Sequence, residues 1–248
     1  MRSPYRSSSR LAYTFGPGPA TSVVKALIIA NVVMFVASQL SMLVPLYLGL
    51  VPAQVVGSGR VWQLLTYQFL HGSIFHILFN MLSLWMFGVE LERMWGSRFF
   101  LTFYLVTGVG AGLTQIIASL VPVDALSSLY YAQTIGASGA IYGLLMAYAM
   151  YFPNRQIMFW GVFPILVKYF VLIMGGISLI SAADGAGGVA HMAHLGGMLF
   201  GYLYLKRGRF HPLAELKYRY TRWRINRSRR RFDVYSGGRS NDRNTRIH

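Results

Sequence analysis

The sequence predicts an all-α polytopic membrane protein, a bundle of six transmembrane helices with both termini on the inner side. Of its 248 residues, 54% are hydrophobic and only 12% charged, with a mean hydropathy of +0.44. That is about half the charge of a soluble domain. Apolar runs approaching membrane-spanning length recur six times. The cations between them fall almost entirely on one side of the alternating path, which is the side that stays inside.

The runs are roughly Val23 to Val44, Ile74 to Val89, Phe99 to Val121, Gly139 to Phe152, Val162 to Ser181 and Val189 to Leu205. At about 1.5 Å per residue the first and third cross a hydrocarbon core of about 30 Å unaided, and the others are marginal or short. The fourth is the shortest, so its start is expected below the membrane surface. With the N-terminus inside, the inner side collects Arg2, Arg6, Arg10, Lys25, Arg93, Arg98, Arg155 and the tail, and the outer side has only Arg60. Lys168 is read as lying about two turns into the fifth segment, snorkelling or packed inside the bundle.

Three regions follow: a basic cytoplasmic arm (1–22), the six-helix core (23–205) and a basic cytoplasmic tail (206–248). The arm is acid-free and rich in Arg, Ser, Pro and Gly, as transit peptides also are. The first apolar run is too long for a signal-peptide core, so a retained anchor behind an unstructured arm is the favoured reading. The net charge of +16 resides mostly in the tail, where 14 Lys/Arg face Glu215, Asp233 and Asp242. That tail is expected to be disordered and held near anionic lipid head groups, a nucleic-acid role being disfavoured. With no cysteine, thiolate metal sites, iron–sulfur clusters and cysteine nucleophiles are excluded. No cofactor or metal is implied.

Pro45 to Leu70 forms a long outer loop, apolar enough to fold against the bundle, with Trp62 as an interfacial anchor. A packed re-entrant loop with a purely structural role fits equally well.

Polar side chains inside a bilayer are costly and are read first as functional. They cluster in three places: His71, His76 and Asn80 at the start of the second run, Ser138 at the start of the fourth, and His191 and His194 near the start of the sixth. In an N-in bundle these three runs travel the same way. Counted from their inner ends, His76, Ser138 and His194 lie at heights of about 20, 21 and 17 Å, so they can share one pocket. Gly139 and Gly143 in the fourth run, and Gly197 and Gly201 in the sixth, are spaced to let two helix backbones touch.

A serine needs a base to become a nucleophile, and His194 is the available one. No carboxylate is well placed to orient it, which suggests a Ser–His dyad. Tyr142, one turn after Ser138, can stack on the imidazole. His76 and Asn80, four apart on one helix face, and the backbone N–H of Ser138 can serve a developing oxyanion. The plain alternatives remain open: Ser138 bonding its own helix, Asn80 joining helices, and His71 and His191 as boundary or supporting residues.

These residues stand in three motifs: His71-Gly-Ser-Ile-Phe-His76-Ile-Leu-Phe-Asn80, Gly136-Ala-Ser138-Gly139-Ala-Ile-Tyr142-Gly143, and Ala193-His194-Leu-Gly-Gly197-Met-Leu-Phe-Gly201. The chain resembles the rhomboid intramembrane serine proteases of the bacterial six-helix type over roughly Val23 to Leu205. The resemblance implies a rhomboid-like bundle that cleaves other membrane proteins in or beside a transmembrane segment. It implies Ser138 as nucleophile, His194 as general base, and His76 and Asn80 as oxyanion donors. Gly136 then shapes the oxyanion site, Tyr142 packs on the catalytic His, His71 stands behind the oxyanion His, and Glu92 with Gly96 makes an inner turn. His194 is preferred to His191 because Gly197 and Gly201 follow it three and seven positions on. One departure is Gln63 after Trp62, where many bacterial members carry Arg, which leaves the anchoring of the outer loop in doubt. The stretch Ser181 to Val189 is expected to cap the site. A bacterial cytoplasmic membrane is the expected location.

Two rivals stand beside this. His71, His76, His191 and His194 could ligate zinc, although no H-E-x-x-H or nearby carboxylate supports it and Ser138 would have no role. A rhomboid-like protein that binds membrane helices without cutting them is the non-enzymatic alternative.

Overall fold

The computed structural model describes residues 16–123, 126, 128–159, 163–183 and 191–207. The arm through residue 15, residues 184–189 of the predicted cap and the tail from 208 lie outside the described residues. The chain divides into a compact unit, Met1–Lys206, and a second, Arg207–His248.

The structure is mostly helical. In chain order the long helices are α1 (Ser22–Leu40), α5 (Ile74–Trp95), α6 (Ser97–Ser119), α7 (Ser138–Tyr151), α8 (Val167–Ala183) and α9 (His191–Arg207). Between α1 and α5 run three short helices, α2 (Leu43–Leu48), α3 (Pro52–Ser58) and α4 (Gln63–Thr66). Three helices, α1, α5 and α6, are long and apolar enough to cross a membrane, and α8 is a shorter apolar helix. Large apolar side chains are exposed on several of them, including Val33 and Val36 on α1, Leu172 and Ile180 on α8, and Leu199 and Leu203 on α9. Helices that are apolar on their outer faces as well as their inner ones belong in lipid.

The core between the helices is built from Leu84, Phe100, Phe103, Tyr104, Leu144 and their neighbours. Helix α5 runs six residues beyond its predicted apolar end, through Glu90, Glu92 and Arg93, and stops at Gly96 (φ +79°). That positive φ suits glycine and lets α6 start at once. The two acids are tolerated because each has partners. Glu92 accepts the backbone N–H groups of Val23 (3.0 Å) and Val24 (2.9 Å) and the hydroxyls of Ser22 (3.2 Å), Ser97 (2.7 Å) and Thr21. A carboxylate from α5 thus caps the N-terminus of α1, where the helix dipole favours negative charge. Glu90 pairs with Arg155 and accepts from the Tyr148 hydroxyl at 2.7 Å.

The segment between α1 and α5 folds against α6. Tyr67 is fully buried and donates its hydroxyl to the Gly108 carbonyl at 2.7 Å, while its own carbonyl receives the Gly136 N–H at 2.9 Å. Gln63, where the resemblance leads one to expect Arg, is fully buried. Its amide donates to Gln54 Oε1 (2.8 Å) and the Tyr47 carbonyl (3.4 Å) and accepts from Val51 N–H (3.1 Å). A neutral amide therefore anchors this loop, and Trp62 donates its indole N–H to the Tyr47 carbonyl at 3.1 Å.

Two expectations need correction. The fold is not purely helical: strands β1 (Gln156–Phe159) and β2 (Phe163–Leu166) pair antiparallel, with Ile157 opposite Ile165 and Met158 opposite Pro164. Apolar composition alone makes this run continuous with α8, but Pro164 has no N–H to contribute to a helix ladder, and the aromatic and β-branched residues suit a strand. In consequence α8 begins at Val167, and Lys168 sits at its very start, not two turns in. Its Nζ donates to Asn154 Oδ1 at 2.9 Å, at the end of the bundle that holds Arg155.

Candidate active site

Helix α7 starts at Ser138 because the chain turns sharply just before it. Gly136 has φ +127° and Ala137 returns to a helical conformation. A Cβ at Gly136 would sit 2.8 Å from His76 Nε2 and 3.7 Å from Ser138 Oγ. The turn therefore needs glycine twice over, for its φ and for space, and its missing side chain is the gap that His76 and Ser138 share.

Opposite, α9 comes within backbone contact of α7. A Cβ on Gly197 would collide with the Gly139 carbonyl, and one on Gly201 would lie 2.9 Å from the Gly143 carbonyl. A Cβ on Gly139 would in turn meet Ala111 of α6 at 2.6 Å. This approach brings His194 Nε2 to 2.8 Å from Ser138 Oγ, 56 residues away in sequence. The Tyr142 ring stacks on the imidazole with centroids 4.1 Å apart and planes 5° from parallel. Tyr142 is itself held by Ser178 of α8: the two hydroxyl oxygens lie 3.4 Å apart, and the Ser178 hydroxyl donates to the Met174 carbonyl at 2.9 Å.

With Nε2 facing the serine hydroxyl as acceptor, Nδ1 of His194 carries the proton. It is buried and has no hydrogen-bond partner among the described residues. Among the described residues no carboxylate bonds the ring, and the stacked Tyr142 ring lies parallel to its plane. On the other side of Ser138, His76 accepts the Gly72 N–H at Nδ1 (3.5 Å), leaving Nε2–H as a donor toward the Gly136 gap. Ser73 caps α5 by accepting the His76 N–H at 3.2 Å. Asn80, one turn on, is buried, and its Nδ2 has no partner among the described residues. A buried amide donor without a partner costs free energy, so its retention asks for a reason.

His71 is buried edge-on against His76, with ring centroids 4.9 Å apart. Burial, with the neighbouring His76 adding to it, lowers its imidazole to about 4. It is neutral at physiological pH and adds no charge behind His76. His191 lies edge-on to His194, with ring centroids 5.9 Å apart. Among the described residues no group of three or more His, Asp or Glu is arranged to hold a metal ion.

Ser138, His194, Tyr142, His76 and Gly136 therefore lie together, with Gly139, Gly197 and Gly201 at the helix contact and His71 against His76, while Asn80 is buried one turn beyond His76 on α5. Sequence reasoning missed Tyr67 and Ser178. Neither stands in a motif, and each acts through a partner more than 30 residues away.

The Rhomboid domain model matches residues 58–207, more than half of the chain. The chain belongs to the rhomboid family. It is 31% identical over 149 residues to the rhomboid protease GluP of Bacillus subtilis, covering 60% of this chain and 26% of that protein. It is 30% identical over 159 residues to the rhomboid protease AarA of Providencia stuartii, covering 59% and 55%. A third relative, the mitochondrial rhomboid protein 1 of Saccharomyces cerevisiae, is 30% identical over 142 residues, covering 55% and 38%. The matched region thus spans between about a quarter and just over half of these relatives. Family and apolar helices together make this an integral membrane protein.

Proposed function

We propose that this rhomboid is an intramembrane serine endopeptidase that hydrolyses peptide bonds in or near transmembrane segments of other membrane proteins. The observation that carries the proposal is the 2.8 Å contact between Ser138 Oγ and His194 Nε2 beneath the stacked Tyr142 ring. His194 takes the hydroxyl proton as Ser138 Oγ attacks the scissile carbonyl carbon. The carbonyl oxygen becomes an oxyanion, bonded by His76 Nε2–H, Asn80 Nδ2 and the Ser138 backbone N–H. His194 then returns the proton to the leaving amine as the C–N bond breaks. Water, deprotonated by the same imidazole, releases the acyl group and restores Ser138.

The unpartnered Asn80 amide supports this reading, since an oxyanion supplies the acceptor that the resting site lacks. The scissile bond must leave its helix first, because a helical carbonyl is already hydrogen-bonded, so substrates with helix-breaking or small residues near the cut are expected. In the same reading the six long helices all cross the bilayer, N-in and C-in. The site opens to the outer face, and residues 1–22 and 206–248 flank the 23–205 core on the inner side. The basic tail rests on anionic head groups there, in a bacterial cytoplasmic membrane.

The test is cleavage of a transmembrane reporter by purified protein in detergent, for wild type, Ser138→Ala, His194→Ala and His191→Ala, with and without chelator. Loss of about three orders of magnitude in the first two variants, with His191→Ala active and chelator harmless, is the expected outcome. Cleavage by Ser138→Ala would remove the serine mechanism. A wild type that binds membrane helices but never cuts would leave a non-catalytic helix-binding protein.

A further inference from the structure

The hairpin between α7 and α8 has no part in the chemistry above, and its composition is odd for a cytoplasmic loop. From residue 156 to 167 the sequence reads Gln-Ile-Met-Phe-Trp-Gly-Val-Phe-Pro-Ile-Leu-Val, without a single charge. Its base is fixed: Val167 N–H donates to the Arg155 carbonyl at 2.9 Å, Lys168 N–H to the Pro153 carbonyl at 3.2 Å, and Ile157 packs against the main core.

Away from that base the ribbon is apolar on both sides. Met158 and Pro164 are opposed in the register and lie on one face, and Phe163 lies with Ile157 and Ile165 on the other. Met158 is 51% and Phe163 66% exposed. A two-stranded hairpin with exposed apolar residues on both faces is marginal in water. Nor does it fit the hydrocarbon core, because no third strand pairs with it among the described residues, so the outer N–H and C=O groups of both strands are open. Such edges are not tolerated where water is absent. The zone that satisfies both conditions is the head-group interface, where apolar and aromatic side chains can immerse while the backbone edges still meet water.

The charges beside it name the lipid. Arg155 is answered by Glu90. Lys168, at the other foot of the hairpin, bonds only the neutral Asn154 amide and lies 5.1 Å over the Tyr169 ring, with no carboxylate partner among the described residues. We propose that the β1–β2 hairpin is an interfacial anchor. It lies in the head-group zone of the leaflet next to the α7–α8 connection, with Lys168 engaging anionic phospholipid. Because β2 runs directly into α8, the anchor sets the depth at which that helix starts.

The absence of cysteine makes the test clean. Phe163→Cys and Met158→Cys, one per face, are labelled with a polarity-sensitive fluorophore in the Ser138→Ala background, so that proteolysis plays no part. Tyr131→Cys, at a residue 78% exposed in the α6–α7 connection, is the water-facing control. The proteins are reconstituted in phosphatidylcholine vesicles with and without phosphatidylglycerol, with iodide on both sides of the membrane. Both hairpin labels should be quenched several-fold less by iodide than the control. They should be quenched several-fold more by a spin label near the head group than by one at the chain end. Phosphatidylglycerol should strengthen the shallow quenching, and Lys168→Gln should abolish that gain. Iodide access equal to the control at either position overturns the anchor, as does stronger quenching from the chain end. Indifference to phosphatidylglycerol overturns the role of Lys168.

Discussion

The carboxylates and the amide of helix α5 are treated in opposite ways. The Glu92 carboxylate has five donors around it, and nearby Glu90 is answered by Arg155 and Tyr148. The Asn80 amide nitrogen, and the Nδ1 of His194 on α9, are buried without partners among the described residues. A satisfied network stabilises; buried donors left open destabilise, and are retained where something else completes them. The first group holds helices together; in the proposed mechanism the second receives the charge of the oxyanion.

The most severe way to break this contrast is to separate α7 from α9. Gly197→Val pushes a side chain into the Gly139 carbonyl, where only backbone can move. It should unfold or misassemble the bundle, costing at least about 3 kcal/mol, with cleavage and thermal stability in detergent lost together. If Gly197→Val keeps wild-type stability, the helix contact is looser than described.

Sharper information comes from a matched pair of substitutions, one in each group. Glu92→Gln removes the charge that caps α1 and should destabilise by about 1–2 kcal/mol, leaving the turnover of the folded fraction nearly intact. Asn80→Ala should do the reverse. Cleavage should fall about 10- to 100-fold, while the melting temperature stays level or rises, because an unpartnered buried amide has been removed. A clear drop in melting temperature for Asn80→Ala would mean that the amide is structural glue.

The last effect is absent at neutral pH and appears only on acidification. His71, in the loop before α5, titrates near 4 when folded and near its ordinary 6.5 when unfolded. The unfolded chain therefore binds more protons between these values. The contribution of His71 to stability is complete above about 6.5 and declines as the pH falls toward 4. Melting curves of wild type and His71→Phe across this window should diverge at the acid end. Parallel curves would show that His71 does not titrate with unfolding.

Much of this was written in the chain. Positions of the six long helices could be read to within about six residues from apolar runs, and Ser138, His194, Tyr142, His76 and Asn80 stood out because polar groups in such runs are costly. Reading α5 only to Val89 failed because Glu90, Glu92 and Arg93 look like a loop until their partners are known. The β1–β2 hairpin and the true position of Lys168 were hidden because an apolar strand and an apolar helix start have the same composition over so few residues.

What the sequence by itself determined is therefore class and inventory: a membrane chain, its apolar segments, and the side chains able to do chemistry, all of which depend on local composition and spacing. What only the tertiary structure decided is which groups are satisfied. Gln63 in place of a cation, Glu92 on the N-terminus of α1, Tyr67 holding Gly136, Ser178 behind Tyr142 and the open donor on Asn80 each depend on partners, or their absence, far along the chain. Spacing within one helix carries no information about such partners, because they are brought together by the packing of different helices.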